Sequence, residues 1–374
     1  MKTRKLGRVR AQARSGREAK KMAEVHDILQ SAIERGGSDV FIIPGSCVRL
    51  KVAGEVQQLF DVVLKPDDTK RLIRQVYELD HRDMDRLTEH GDDDFSFSIS
   101  GVGRFRCNAY QQRNSLAMVL RVVSLALPDP VKMHIPDEIL CLADVKKGLV
   151  LVTGPAASGK STTLACLIDR INTNRHGHII TIEDPIEFIH AHKASVLSQR
   201  EVEHDTKSYQ TALRAALRQA PDVILLGEMR DLETIQTALT AAETGQLVLS
   251  TLHTVGAAKT IDRIIDVFPA NQQQQIRVQL SMVLRAVVSQ QLLPTLDGGL
   301  EPAFEIMLVN SAIQNMIREG KAHQMDNVIF AGVSEGMRTM DADIQRLVKQ
   351  KRVSKETALL FAANPDQLKK KFAE

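Results

Sequence analysis

The stretch of sequence that decides the fold reads Gly148-Leu149-Val150-Leu151-Val152-Thr153-Gly154-Pro155-Ala156-Ala157-Ser158-Gly159-Lys160-Ser161-Thr162. The part up to Thr153 is a short apolar run, which is typical of a buried strand. The remainder fits the pattern G-x-x-x-x-G-K-[ST] and passes into a helical segment that continues to Ile168. A strand, a glycine-rich loop and a helix in this order predict a phosphate-binding loop.

In such a loop, backbone N–H groups and the positive end of the following helix point at phosphate oxygens. Lys160 adds a cation, and the hydroxyl of Ser161 is suited to Mg²⁺. The loop therefore predicts a site for a nucleoside triphosphate with Mg²⁺. The alternative interpretation is a simple glycine turn before a helix.

Length and composition place this loop in a chain of more than one domain. The 374 residues, 43% of them hydrophobic and 25% charged, suit two or three domains of ordinary soluble composition. No apolar run reaches the roughly 18 residues of a membrane span. The four cysteines lie far apart without C-x-x-C spacing, which predicts neither a zinc site nor a disulfide framework and favours a cytoplasmic protein.

Positive charge is concentrated at the N-terminus, although the net charge of the chain is only +3. Residues 1–21 contain one acidic residue, Glu18, and the basic residues Lys2, Arg4, Lys5, Arg8, Arg10, Arg14, Arg17, Lys20 and Lys21. Such a block predicts a disordered, solvated tail. Contact with nucleic acid or with an anionic membrane surface, and a cleaved presequence, are the alternatives. The absence of Trp leaves few stacking platforms and argues against a nucleic-acid enzyme.

Residues 22–124 are interpreted as a small α+β domain with an antiparallel sheet. Helical spacing from Met22 stops at Gly36, a strand is predicted at Val40 to Ile43, and 69–87 is more helical. Two alternating segments, Phe95 to Ser100 and Arg104 to Tyr110, predict a strand meander. Prolines then predict a linker over 125–147.

From Gly148 onward the pattern changes to continuous apolar runs separated by helices, which predicts a parallel sheet covered on both faces. The predicted strands are 149–152, 178–182, 223–226 and 247–251, and two predicted helices cover 206–219 and 232–244. We assign 148–300 to this P-loop domain. The chain beyond about Ile261 is expected to be mostly helical, and 301–374 is predicted to form a C-terminal helical subdomain.

Three candidate catalytic residues follow predicted strands of this sheet. Glu183 and Glu228 each come after an apolar run, and His253 ends the next one. Because ligands bind at the carboxyl ends of strands in open α/β sheets, an acid there could position or activate water beside the γ-phosphate. The alternatives are an N-cap role for the acids and a structural role for the histidine.

Arginines of the N-terminal domain are candidates for phosphate contacts. Arg104 and Arg106 share one strand face, opposite Phe105 and Cys107. Arg121 lies in an apolar strand segment, where a cation is expected to have an anionic partner. A second domain that offers arginines to a triphosphate would match an arginine-finger arrangement.

Taken together, these residues resemble the secretion ATPases, and within them the type IV pilus retraction ATPases of the PilT group, PilU-like members included. The resemblance runs from about Met22 to the C-terminus. The segments that carry it are Arg104 to Asn108, the P-loop, Thr181 to Phe188 (the family's Asp box), Gln199 to Val202, Gly227 to Asp231 (Walker B) and Ser250 to Thr254 (His box).

The resemblance implies an α/β chain, with an N-terminal α+β (PAS-like) domain and a RecA-like P-loop domain followed by C-terminal helices. It implies a homo-hexameric ring that hydrolyses ATP with Mg²⁺ between the two domains. Glu183 and Glu228 would handle water and the metal, with Ser161 as a metal ligand, and His253 would read the γ-phosphate. Arg104 and Arg121 would reach the phosphates, with Arg113 as a further candidate.

The same resemblance implies a cytoplasmic protein that associates peripherally with the inner membrane at the pilus machine. Its implied partners are an inner-membrane platform protein and a paralogous extension or retraction ATPase, with no nucleic acid. Alternatives remain within and outside the class. They are an accessory PilU-like retraction ATPase, favoured by 110–114 and 218–222, another type II/IV secretion ATPase, a non-hydrolysing nucleotide-binding assembly protein, and a RecA-like nucleic-acid motor.

Several positions depart from the family pattern. The segment Ala312 to Glu319 looks like the short helix motif of retraction motors, with Gln314 where the family usually has Arg. Ala156 and Ala157 replace the usual Thr-Gly of the P-loop, so a backbone φ above zero at Ala157 would be strained. Phe41 stands where the family commonly has His.

Overall fold

The computed structural model describes residues 24–123 and 126–372. The chain divides into two compact units, the first ending at Leu125 and the second starting at Ala126. The basic tail predicted over residues 1–21 lies outside the described residues. Across the described ranges, no helix is both long enough and apolar enough to cross a bilayer.

The N-terminal unit is built on a six-stranded sheet in which every paired strand is antiparallel. The order is β3-β2-β1-β6-β5-β4, so the predicted meander forms one half of the sheet. The strands are β1 (Asp39–Ile42), β2 (Cys47–Val52), β3 (Glu55–Val63), β4 (Asp92–Ile99), β5 (Gly103–Gln112) and β6 (Ser115–Val123).

Helices α1 (Val25–Glu34), α2 (Pro66–Leu79) and α3 (Asp85–His90) complete this unit. The apolar residues of α1 recur at helical spacing and are buried in the same core as Phe105 and Cys107 of β5. Arg104 and Arg106 point away from that core, because successive side chains of a strand face opposite ways. The predicted α+β architecture is confirmed.

The second unit contains a seven-stranded sheet with the order β13-β12-β7-β11-β10-β8-β9. All pairings are parallel except that of β12 with β13. The strands are β7 (Gly148–Thr153), β8 (His178–Glu183), β9 (Val196–Glu201), β10 (Val223–Leu226), β11 (Leu247–Leu252), β12 (Leu284–Pro294) and β13 (Leu300–Leu308).

Both faces of this sheet are covered. Leu149 and Leu151 of β7 belong to one apolar cluster, whereas Val150 and Val152 belong to another on the opposite face. The continuous apolar run that predicted the strand therefore reflects burial on two sides. The helices are α4 (Asp137–Leu140), α5 (Lys160–Asn174), α6 (Tyr209–Ala216), α7 (Leu232–Thr244), α8 (Ala257–Asp266), α9 (Ala270–Val283), α10 (Ser311–Glu319), α11 (Met325–Ala331), α12 (Met340–Lys349), α13 (Lys355–Phe361) and α14 (Pro365–Lys371).

Two expectations need correction. Residues 126–147 of the predicted linker belong to the second unit, because Ile139 and Leu142 are buried in the cluster that contains Val150. Beyond Ile261 helices predominate, as predicted, but β12 and β13 interrupt them with a long antiparallel pair. The predicted boundary between 300 and 301 falls at the start of β13, so the sheet continues past it.

Candidate functional site

A cleft of about 520 Å³ opens at the carboxyl ends of the parallel strands of the second unit. It contains most of the P-loop together with the three candidates that follow β8, β10 and β11. The lining residues are Ala156, Ala157, Ser158, Gly159, Lys160, Ser161, Thr162, Glu183, Asp184, Pro185, Glu187, Tyr209, Gly227, Glu228, Arg230, Thr251, His253 and Leu292. The structure therefore brings Glu183, Glu228 and His253 to the loop, as predicted.

The P-loop leaves β7 and enters α5 at Lys160 through Gly159, whose φ is 87°. The first backbone N–H groups of a helix have no partner within the helix. Here they line the cleft with the positive end of the helix dipole, which suits them to bind phosphate.

Lys160 lies over this loop. Its Nζ donates hydrogen bonds to the carbonyl oxygens of Gly154 (3.0 Å) and Pro155 (2.7 Å). Burial lowers the pKa of Lys160, and the nearby carboxylates of Glu187 and Glu228 oppose that shift. The ammonium is thus held beside the loop that would receive a phosphate.

Ala157 has a φ of 59°, which is left-handed backbone of the kind expected to strain this position. Because glycine adopts this conformation without a Cβ clash, we expect Ala157→Gly to stabilise the P-loop unit by about 1 kcal/mol. Urea unfolding without nucleotide would measure the change. Ala156→Gly is the matched control, since glycine there adds only chain entropy to the unfolded state. Equal effects of the two substitutions would contradict the strain argument.

Glu228 lies at the centre of the site, where its side chain is only 11% exposed. Its Oε1 is 2.6 Å from Nη2 of Arg230, and its Oε2 is 3.3 Å from Nε2 of His253. The ion pair with Glu228 raises the pKa of Arg230. The contact of Oε2 with His253 does not have the geometry of a hydrogen bond, so within the described residues this buried oxygen has no hydrogen-bond partner. A buried oxygen of this kind is suited to a metal ion or to a metal-bound water.

The residues present fit Mg²⁺. No group of three or more His, Cys, Asp or Glu suited to a metal is found in 24–123 or 126–372. A P-loop magnesium does not need one, because Mg²⁺ takes one or two protein oxygens and fills its remaining positions with phosphate and water. Ser161 and Glu228 line the same cleft and would supply those oxygens.

Glu183 ends β8, which strand β10 separates from β11 and its His box. Burial raises the pKa of Glu183 to about 7; a hydrogen bond from Gln199 opposes this shift and the charge of Glu187 adds to it. A carboxyl group with a pKa near neutrality is poised to exchange a proton with water at physiological pH.

If Glu183 accepts the proton of the attacking water, its raised pKa predicts a pH dependence of the activity. The carboxyl of Glu183 is protonated below about pH 7 and ionised above it, and only the ionised form can accept a proton. We therefore expect kcat/KM for ATP to rise by about tenfold between pH 6 and pH 8. Glu183→Gln should remove the rise. A wild-type profile that is flat, or the same rise in Glu183→Gln, would show that another group controls the rate.

Hydrogen bonds fix the ends of β10 and β11 relative to each other. Ser250 Oγ donates to the carbonyl of Leu226 (2.8 Å), and Thr251 Oγ1 donates to that of Gly227 (2.6 Å). Strand β11, which leads into the His box, is therefore hydrogen-bonded to Gly227, the residue before Glu228. The role of His253 as a reader of the γ-phosphate stays a prediction.

The candidate arginines lie in the N-terminal unit. Arg121 Nε donates to Asp39 Oδ1 at 2.9 Å, which confirms the expected anionic partner. Burial alone would raise the pKa of Asp39, but the hydrogen bonds from Arg121 and Ser38 hold it below its usual value. Arg104 Nη1 donates a hydrogen bond to Ser98 Oγ at 3.2 Å. The backbone of Arg113 is left-handed, with a φ of 45°. Contact of these arginines with phosphates stays a prediction.

Several cleft residues were not predicted from the sequence. Arg230 could have been found, because it lies two positions after Glu228 in the same motif. Tyr209 and Leu292 carry no motif signal. Tyr209 begins α6 and Leu292 lies on β12, so only the fold brings them to the P-loop.

A parallel sheet of this order, with the G-x-x-x-x-G-K-[ST] loop after β7 and acids after two nearby strands, defines a P-loop NTPase with a RecA-like core. The family described as Type II/IV secretion system protein matches residues 16–365. The chain therefore belongs to that family.

The relatives include ATPases of the type IV pilus. The chain is 43% identical to the type IV pilus retraction ATPase PilT of Pseudomonas aeruginosa, over 92% of this chain and 99% of that protein. It is 40% identical to the type IV pilus ATPase PilU of the same organism, over 92% and 90% of the two chains. A crystal structure of the pilus retraction motor PilT with bound ADP is 44% identical, with a TM-score of 0.86, and covers 93% of this chain and 100% of that one. The chain is a P-loop ATPase of this family.

Proposed function

We propose that this protein is an ATP-hydrolysing motor that drives disassembly and retraction of a type IV pilus. The observation that carries the proposal is the likeness to PilT, which extends over both units at 43% identity. The P-loop cleft would supply the hydrolytic part of that function, and it brings Lys160, Glu183 and Glu228 together.

In this proposal the P-loop N–H groups and Lys160 bind the phosphates of ATP, and Ser161 and Glu228 hold Mg²⁺. When bound, the metal neutralises charge on the phosphates. Glu228 and Glu183 orient the attacking water and accept its proton. His253, 3.3 Å from Glu228, would report the γ-phosphate to that carboxylate.

The motor is proposed to work as a homo-hexamer at the pilus machine, beside an inner-membrane platform protein. Arg104 and Arg121 would approach the bound ATP from the N-terminal unit, and the Asp39 carboxylate would hold Arg121 in position.

Arg121→Ala in the full chain should then slow hydrolysis more than Arg106→Ala, because Arg106 belongs to a separate exposed pair with Asp94. Equal rates in the two variants would remove Arg121 from the site.

An accessory PilU-like retraction ATPase is the second candidate. The 40% identity to PilU over 92% of the chain favours it, as do Tyr110 to Asn114 and Arg218 to Asp222. An accessory motor would support retraction without being indispensable for it.

Two measurements test these proposals. Purified full-length protein should hydrolyse ATP, and DNA should not stimulate the rate; stimulation by DNA would indicate a nucleic-acid motor, and absence of turnover would indicate a regulatory binding protein. Deletion of the gene in the native host should abolish twitching. Residual twitching that depends on a second retraction ATPase would identify the accessory role.

A further inference from the structure

One residue of β12 lies directly against the P-loop. Strand β12 runs parallel to β7, with Ser289 paired with Thr153. The next residue on β12 is Gln290, which therefore lies beside Gly154, the first residue of the loop. Gln290 is only 3% exposed, and a buried amide needs hydrogen-bond partners.

The side chain of Gln290 bridges to the helix that follows the loop. Thr163 Oγ1 of α5 donates a 2.8 Å hydrogen bond to Gln290 Oε1, and Thr163 is completely buried. These two residues are 127 positions apart in sequence. A buried hydrogen bond across this distance fixes the start of α5 relative to the edge of β12.

Gly154 and Gly159, the two glycines of the P-loop pattern, also lie close to Gln290. A Cβ atom at Gly154 would collide with the carbonyl oxygen of Gln290. A Cβ atom at Gly159 would lie 2.8 Å from Gln290 Nε2, closer than real Cβ contacts allow. The two glycines therefore permit close approach of the loop to one residue, in addition to their positive φ values.

We propose that Gln290 is a positioning residue of the nucleotide site, which holds the P-loop and the N-terminus of α5 in the geometry that binds phosphate. The amide spans the start of the helix and the loop glycine, so it sets the direction of the N–H groups before nucleotide arrives. Such preorganisation increases affinity because less ordering remains to be done on binding. The proposal rests on the proposed nucleotide site and is independent of pilus retraction.

The neighbouring Gln291 provides a matched control. Successive side chains of a strand point to opposite faces, and Gln291 Nε2 donates to the carbonyl of Phe361 in α13 at 3.3 Å. Gln291→Met removes the same chemical group from the same strand without touching the loop. Gln290→Met preserves the length of the side chain while removing its hydrogen bonds.

Calorimetric titration of the full-length protein with Mg-ADP tests the proposal. Gln290→Met should weaken ADP binding by about tenfold, the effect of one buried hydrogen bond, whereas Gln291→Met should stay within about twofold of wild type. With ATP, the KM should rise while kcat at saturation changes by less than about threefold, because chemistry uses other residues. Thr163→Val should also weaken binding, and adding it to Gln290→Met should cause little further loss.

Unchanged ADP affinity in Gln290→Met would overturn the proposal, and so would independent, multiplicative effects of Gln290→Met and Thr163→Val. If Gln290→Met does not fold, Thr163→Val alone decides, since it removes the same hydrogen bond from the helix side. Lys160→Ala separates this test from the proposed site itself. If Lys160→Ala keeps full ADP affinity, the nucleotide site is refuted. If Lys160→Ala loses ADP affinity and Gln290→Met keeps it, only the role of Gln290 is refuted.

Discussion

Glu228→Gln is expected to lower ATP turnover by about 10³-fold while changing the affinity for ATP by less than about threefold. The substitution keeps the shape of the side chain but removes the charge that pairs with Arg230 and faces His253. In the proposed site the loop and Lys160 bind the phosphates, and the substitution leaves both intact. Binding and hydrolysis should therefore separate in this variant.

Steady-state ATPase rates and fluorescent-nucleotide titrations of the full-length protein would measure the two effects. Glu233→Gln is the control, because Glu233 is an exposed acid on α7 whose carboxylate lies 3.8 Å from Arg214. Lys160→Ala should show the reverse behaviour, in which the affinity for ATP is lost before the turnover of bound ATP. Turnover in Glu228→Gln close to wild type would leave the catalytic role to Glu183 alone, whose elevated pKa suits it to proton transfer.

The second unit, which contains the P-loop, was largely predictable because its sequence patterns are local. The run that forms β7 is buried on both faces, so its composition alone indicates a strand. The predicted helix 232–244 matches α7, which has an N-cap at Asp231 and ends before Gly245. Glu183, Glu228 and His253 meet in one cleft because parallel strands place their carboxyl ends at the same edge.

The parts of the fold and of the site that the sequence did not predict depend on contacts between distant parts of the chain. Strand β12 follows α9 without a break, and its pairing with β7 and β13 determines its conformation. No local pattern distinguishes such a segment from a continued helix. Gln290 is another example, because its partner Thr163 and the two loop glycines come from a region more than a hundred positions away.

The paired substitution Asn315→Ala and Arg318→Ala is expected to abolish twitching while leaving ATP hydrolysis within about twofold of wild type. Helix α10 buries Ile313 and Ile317 on one face and exposes Asn315 and Arg318. The Asn315 side chain donates to Glu319 and accepts from Arg318, at 3.0 and 3.5 Å. Exposed pairs of this kind contribute only a few tenths of a kcal/mol, so folding should survive their loss.

The segment Ala312 to Glu319 resembles the helix motif of retraction motors, and Asn315 and Arg318 are exposed on it. If these two side chains transmit the work of the motor, their loss uncouples hydrolysis from motility. Twitching zones in the native host and the ATPase rate of the purified variant would measure the two outputs. Asn271→Ala with Arg263→Ala is the control, since both residues are exposed on neighbouring helices and lie outside the motif. Normal twitching in the Asn315 and Arg318 variant at wild-type protein levels would show that the motif does not carry retraction, and would leave the ATPase without an assigned output.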